Sequence, residues 1–225
     1  MDSGNIGFVL LCAAFVFVMT PGLAMFYGGL VRKKNVVNTM MTSIFIIGVG
    51  IVMWVLFGYS LSFAPSGNAF IGDFRWLGLE GVSLTEGYTD DASIPNMVFS
   101  AFQMMFAVIT PALITGAVAG RMKFKSIFVF TIFWSLIVYY PLAHMVWGQG
   151  GLLGADGIGA LDFAGGDVVH ISSGVSALVL CILLGKRHDY EHSIYRIHNI
   201  PTVVLGASLL MFGWFGFNAG SALGA

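Results

Sequence analysis

The sequence predicts an all-α fold, a polytopic transmembrane helical bundle, on three observations. Apolar residues make up 57% of the 225 positions and Asp, Glu, Lys and Arg only 9%; with the 30 glycines the apolar fraction reaches about 70%, against roughly 45–50% in ordinary globular domains. The apolar residues gather in long continuous runs. A helix needs about 20 such residues to cross a hydrocarbon core of roughly 30 Å, whereas barrel strands alternate over about ten. Finally, the basic residues fall almost entirely in alternate connections between the runs.

Six runs follow in order, and residues 1–225 read as a single transmembrane domain. The first spans about 6–31; no basic stretch precedes it and it is too long for a cleaved leader, so it reads as a permanent span. The second covers about 36–63 and leads into a polar loop, 64–93, which contains Pro65 and several acids. The third, about 94–120, opens at Pro95 and contains Pro111. The fourth, about 124–148, contains Pro141; the fifth covers about 162–184; the sixth, about 200–225, opens at Pro201. Pro95 and Pro201 suit first-turn positions, where a missing N–H costs little, while Pro21, Pro111 and Pro141 predict kinks. The pairs Gly116/Gly120 and Gly216/Gly220 predict close helix packing.

Nine of ten basic residues follow the first, third and fifth runs: Arg32, Lys33, Lys34, Arg121, Lys123, Lys125, Lys186, Arg187 and Arg196. Arg75 is the exception. Asp2, Asp73, Glu80, Glu86, Asp90, Asp91, Asp156, Asp162 and Asp167 lie on the opposite side, leaving Asp189 and Glu191 with the basic residues. Because Lys and Arg accumulate in cytoplasmic loops, the amino terminus is expected outside a plasma (inner) membrane and loop 64–93 is external. A net charge of −1 excludes the basic footprint of a nucleic-acid partner.

Ionisable residues inside spans are costly and therefore informative. His170 lies eight residues into the fifth run, about 12 Å below its start, as a functional-site residue or as a histidine hydrogen-bonded to a neighbouring helix. His144 reads as structural. Asp162 and Asp167 precede His170; each suits a helix cap, and a desolvated Asp162 would also hold negative potential near a cation. Trp147, Phe217 and Ser221 fall at the same outer depth and Phe106 somewhat deeper. Taken singly they are anchors or packing groups; together they would make an aromatic wall with one hydroxyl acceptor. His188, His192 and His198 are loosely spaced for a metal but read as a solvated loop. No nucleophile elbow, phosphate loop, paired-cysteine zinc pattern or His-Glu-x-x-His helix is present, so no enzyme, cofactor or metal is predicted.

Several blocks are more specific: Thr20-Pro-Gly-Leu-Ala-Met-Phe-Tyr-Gly-Gly29, Phe102-Gln-Met-Met-Phe106, Ile109-Thr-Pro-Ala-Leu113, His144-Met-Val-Trp-Gly148, Asp162-Phe-Ala-Gly-Gly-Asp-Val-Val-His170, Gly185-Lys-Arg187 and Gly213-Trp-Phe-Gly-Phe-Asn-Ala-Gly-Ser221. In this order they resemble the ammonium transporter family (Amt/Mep/Rh), its Amt branch. The resemblance implies that Trp147, Phe106 and Ser221 recruit ammonium or methylammonium. It implies that Phe106 and Phe217 form a gate, that His170 is the first of two pore histidines, and that Asp162 is the acid near the recruitment site. It also implies an inverted-repeat fold of eleven helices in the lipid bilayer, a homotrimer, a role in nitrogen uptake and a PII-type regulator on the cytoplasmic side. On this resemblance the chain covers about the first six helices and is expected to be a piece of a larger protein. Ammonium transport is the expected function: the cation loses a proton and ammonia passes a histidine relay. An ammonium sensor using the same vestibule is the alternative.

Overall fold

The computed structural model describes residues 1–65, 68–155, 157–187, 190–191 and 194–225. Asp156, His188, Asp189 and His192 lie outside the described residues. Among those described, the chain consists of helices and loops, with six helices long and apolar enough to cross a membrane. We label them α1 (Ser3–Leu30), α2 (Lys33–Phe63), α3 (Asn96–Val118), α4 (Phe124–Trp147), α5 (Gly166–Leu184) and α6 (Ile200–Gly220).

α3 lies at the centre, packed against α1, α2 and α5, and α1 makes its largest contact with α6. Apolar side chains gain little from meeting one another in place of lipid, so close helix contact depends on small residues and on van der Waals fit. The α1/α6 seam shows this. A Cβ added at Gly206 would lie 2.4 Å from the Phe26 nitrogen and 2.6 Å from the Gly22 oxygen, and one at Gly216 would lie 2.7 Å from the Cys12 oxygen. Gly206→Val is therefore expected to force α1 and α6 apart and to destabilise the protein by about 3 kcal/mol; an unchanged melting profile in detergent would refute this packing account. The two glycine pairs expected to pack helices behave differently. Gly216 faces α1, Gly220 lies between Phe102 of α3 and Cys12 of α1, and Gly116 lies under the Tyr27 ring, but Gly120 has φ +70° and lies beyond the end of α3, where it turns the chain.

Helix α4 accommodates Pro141 with a π-turn over Ser135–Tyr139. Proline offers no N–H and its ring crowds the carbonyl four residues back, and widening the preceding turn relieves both effects. At one end of the bundle the basic loops are knitted together: Arg121 donates to the Gly185 oxygen at 3.0 Å, and Arg187 lies 4.7 Å from the centre of the Tyr195 ring. At the opposite end, Asp2 caps α1 by accepting from the Asn5 amide at 2.9 Å, and its own amide donates to the Ser93 oxygen at 2.8 Å.

The fifth helix starts later than the sequence run. It opens with a π-turn at Gly166, so His170 stands about 6 Å along the axis from the helix start, not about 12 Å. The cause is Asp162, whose carboxylate gathers the amides that would otherwise extend the helix backwards.

Candidate functional site

At the end remote from the basic loops, a cavity of about 500 Å³ opens between the loop before α3 and the ends of α3, α4 and α6. Its walls include Phe106, Trp147, Asp162 and Ser221, contributed by four separate segments. Helix α3 supplies Phe99, Gln103 and Phe106 at spacings of four and three, the positions that share one helical face. Phe106 is held edge-on to Trp147, with ring centres 6.0 Å apart and planes at 81°. The indole of Trp147 is fixed by a 2.8 Å hydrogen bond from Nε1 to the Asp162 carbonyl oxygen. Ser221 Oγ donates to the Phe217 oxygen at 2.8 Å, so its lone pairs stay available as acceptors.

Below this cavity Phe106 and Phe217 meet at 4.4 Å between ring centres, and both are buried. Phe217 is not among the residues lining the cavity, and its ring also neighbours His170. The imidazole lies at 19° to the Trp214 ring, 5.7 Å away, and at 26° to the Phe217 ring, 6.0 Å away. Within this chain His170 is uncovered on the flank formed by α5 and α6, where Val175, Leu178, Ile182, Met211 and Phe215 are also exposed.

Asp162 combines two positions. Its Oδ1 accepts from the amides of Gly165 (2.5 Å) and Gly166 (2.8 Å), and its Oδ2 from those of Asp167 (2.8 Å) and Val168 (2.9 Å). One carboxylate thus satisfies four donors at the start of α5, where the helix dipole also favours negative charge. Gly165 makes this wrap possible with φ +102°, a conformation in which a Cβ would meet Val169 Cγ2 at 2.7 Å. Asp167 takes no comparable capping role; it lies within the first turn of α5.

The remaining electrostatics leave the cavity free of basic charge. Arg75, the one Lys or Arg between α2 and α3, is bound to Asp73, with Nε 2.8 Å from Oδ2. That hydrogen bond and the guanidinium charge hold the Asp73 carboxyl below its usual range. Tyr88 lines the cavity wall and stacks on Phe99 at 4.8 Å; burial pushes its phenol up to about 12, so it stays neutral. His144 is fully buried away from this cavity, its ring nitrogens 3.1 Å from the Ser62 oxygen and 2.8 Å from the Asn68 oxygen. Sequence position alone does not single out Tyr88, Phe99 or Gln103; their only signal is the shared helical face of the last two with Phe106.

Comparison with known proteins gives a consistent result. The profile of the Ammonium Transporter Family matches residues 7–225. An ammonium transporter of Bacillus subtilis (strain 168) is 53% identical over 223 residues, covering 99% of this chain and 54% of that protein. One of Aquifex aeolicus (strain VF5) is 47% identical over 227 residues, covering 100% and 52%. Among solved structures, Candida albicans Mep2 superposes with a TM-score of 0.88 at 34% identity, covering 100% of this chain and 50% of that one. A structure described as "Sensor Amt Protein" gives 0.84 at 29% identity, covering 99% and 55%. The chain spans about half the length of the relatives it matches.

Proposed function

The chain belongs to the Ammonium Transporter Family, and from that premise we propose that it serves to move ammonium nitrogen across a plasma membrane. The cation is recruited between Phe106, Trp147 and Ser221 and moves past Phe106 and Phe217; it then gives a proton to the neutral imidazole of His170, and ammonia continues past that ring. One observation carries the reading: an aromatic-walled cavity includes Phe106, whose ring touches Phe217, and the His170 imidazole lies 6.0 Å from Phe217.

The chemistry suits the residue types. Ammonium and potassium share size and charge, so a vestibule acting on charge alone would admit both. Ammonium has N–H donors and a removable proton, so a dry apolar constriction admits its neutral form and rejects potassium. Trp147 attracts the cation through its ring face, by about 0.5–2 kcal/mol depending on desolvation. A neutral imidazole at His170 can accept or donate at either nitrogen and so can relay a proton.

A titratable ring facing hydrocarbon would be costly, which favours a covered flank at α5 and α6. In this proposal a second helical half, with a further histidine, closes the path over His170, as inverted-repeat transporters place their sites between halves. The distribution of Lys and Arg supports an outside amino terminus and a cytoplasmic basic end. Assembly as a homotrimer and control by a PII-type regulator at that end belong to the same proposal.

Similarity to the sensor structure favours a second reading, in which the same vestibule detects ammonium without passing it on. Flux measurement separates the two. The protein as its host makes it, reconstituted in liposomes, is expected to show saturable ammonium uptake, and saturable binding with no flux would select the sensor. Trp147→Leu should raise the half-saturating concentration roughly two- to thirtyfold. An unchanged concentration dependence would remove Trp147 from recruitment.

A further inference from the structure

We infer that Gln103 is an ammonium-binding residue whose side-chain amide oxygen accepts an N–H bond from the cation in the cavity above the Phe106–Phe217 contact. The inference rests on the ammonium reading of that cavity and adds a polar contact to its aromatic wall.

Gln103 is only 9% exposed, and its Oε1 is buried with no hydrogen-bond partner among the described residues. A buried amide oxygen without a donor is unfavourable, and native folds rarely retain one without a role. Phe102, Met104 and Met105, which flank it in sequence, carry no side-chain hydrogen-bond donor. Gln103 lines the same cavity as Phe106, Trp147 and Ser221, and it stands about 4.5 Å nearer the cavity mouth than Phe106 along the helix axis. That is the level above the closed phenyl pair, where a cation waits before losing its proton.

Oε1 is itself covered in this structure. Rotation about the last side-chain bond, which is broad and roughly two-fold in glutamine, turns it toward the ligand without moving the helix. The cavity then presents two directed acceptors, Gln103 Oε1 and Ser221 Oγ, together with the ring faces. Ammonium can address all of them with its four N–H groups. Potassium needs a cage of oxygens to replace its water shell, and two acceptors are too few. Gln103 thereby favours the cation that carries donors while adding no charge that would hold it too tightly.

The test uses the protein as its host makes it, reconstituted in liposomes, with ammonium as the probe. Gln103→Leu is expected to raise the half-saturating concentration about tenfold, the effect of one hydrogen bond to a charged group, with the maximal rate retained. Gln103→Glu keeps an acceptor at the same reach and should hold the half-saturating concentration at or below the wild-type value. If the leucine variant is not monodisperse, Gln103→Met carries the same expectation, because methionine is unbranched like glutamine. A wild-type half-saturation in the apolar variants overturns the inference, as does a glutamate variant as weak as they are. A loss confined to the maximal rate also overturns it. Should the wild-type protein itself show no saturable dependence on ammonium, the recruitment reading fails first, and the two failures are thereby distinguishable.

Discussion

Replacing His170 with alanine is expected to lower ammonium flux through the intact protein about a hundredfold or more, the usual contribution of a positioned acid–base group, or to turn it into a leak that also admits potassium. The expectation follows from where the ring stands. It lies at 26° to the Phe217 ring, 6.0 Å away, and Phe217 in turn touches Phe106, so in the proposed path the imidazole is the titratable group next to the phenyl pair. Its orientation is set by flat contact with Trp214 as well as with Phe217. Removing the ring takes away both a proton relay and a steric element of a narrow path. Liposome assays that read pH and current together would separate the two outcomes. Wild-type ammonium flux with potassium still excluded would exclude His170 from the mechanism.

Asp162→Ala should act on the fold first. Four amides at the start of α5 lose their shared acceptor, and the loss should reach about 3 kcal/mol, beyond that of an ordinary cap. The same change loosens the cavity wall, because the Asp162 carbonyl holds the Trp147 indole. Asp162→Asn gives the sharper comparison. It keeps one oxygen but turns an NH₂ group toward two of the four donors, so it should also melt early. Thermal unfolding followed by size exclusion checks both variants. If they kept wild-type stability and differed only in ammonium affinity, Asp162 would act chiefly through its charge rather than as a cap.

The membrane bundle was legible because the lipid requirement is crude: a run of about 20 apolar residues between charged loops reads as a span whatever its neighbours do. Helix starts were less legible. The fifth run is apolar from Asp162 onward, yet α5 begins only at Gly166, since a carboxylate bonded to four amides outweighs hydropathy locally. The glycine pairs divide for a similar reason. Gly216/Gly220 and Gly116/Gly120 have the same spacing, and only backbone geometry sets Gly120 apart as a turn residue.

Within the candidate site, Asp162 and His170 drew attention because ionisable groups inside or at the edge of a span are costly, and Phe106, Trp147, Phe217 and Ser221 because of their depths in three spans and the family resemblance. Gln103 escaped notice. A glutamine in an apolar helix is unremarkable until its surroundings show that its oxygen has no donor among the described residues, and those surroundings come from segments far apart in the chain. Composition, run length and charge asymmetry thus determined that the protein is a helical membrane bundle with a basic end and an acid-bearing end. Tertiary structure alone decided which side chains share a cavity, which rings touch and which buried polar atom lacks a partner among the described residues, because those are properties of distance between helices and not of order along one.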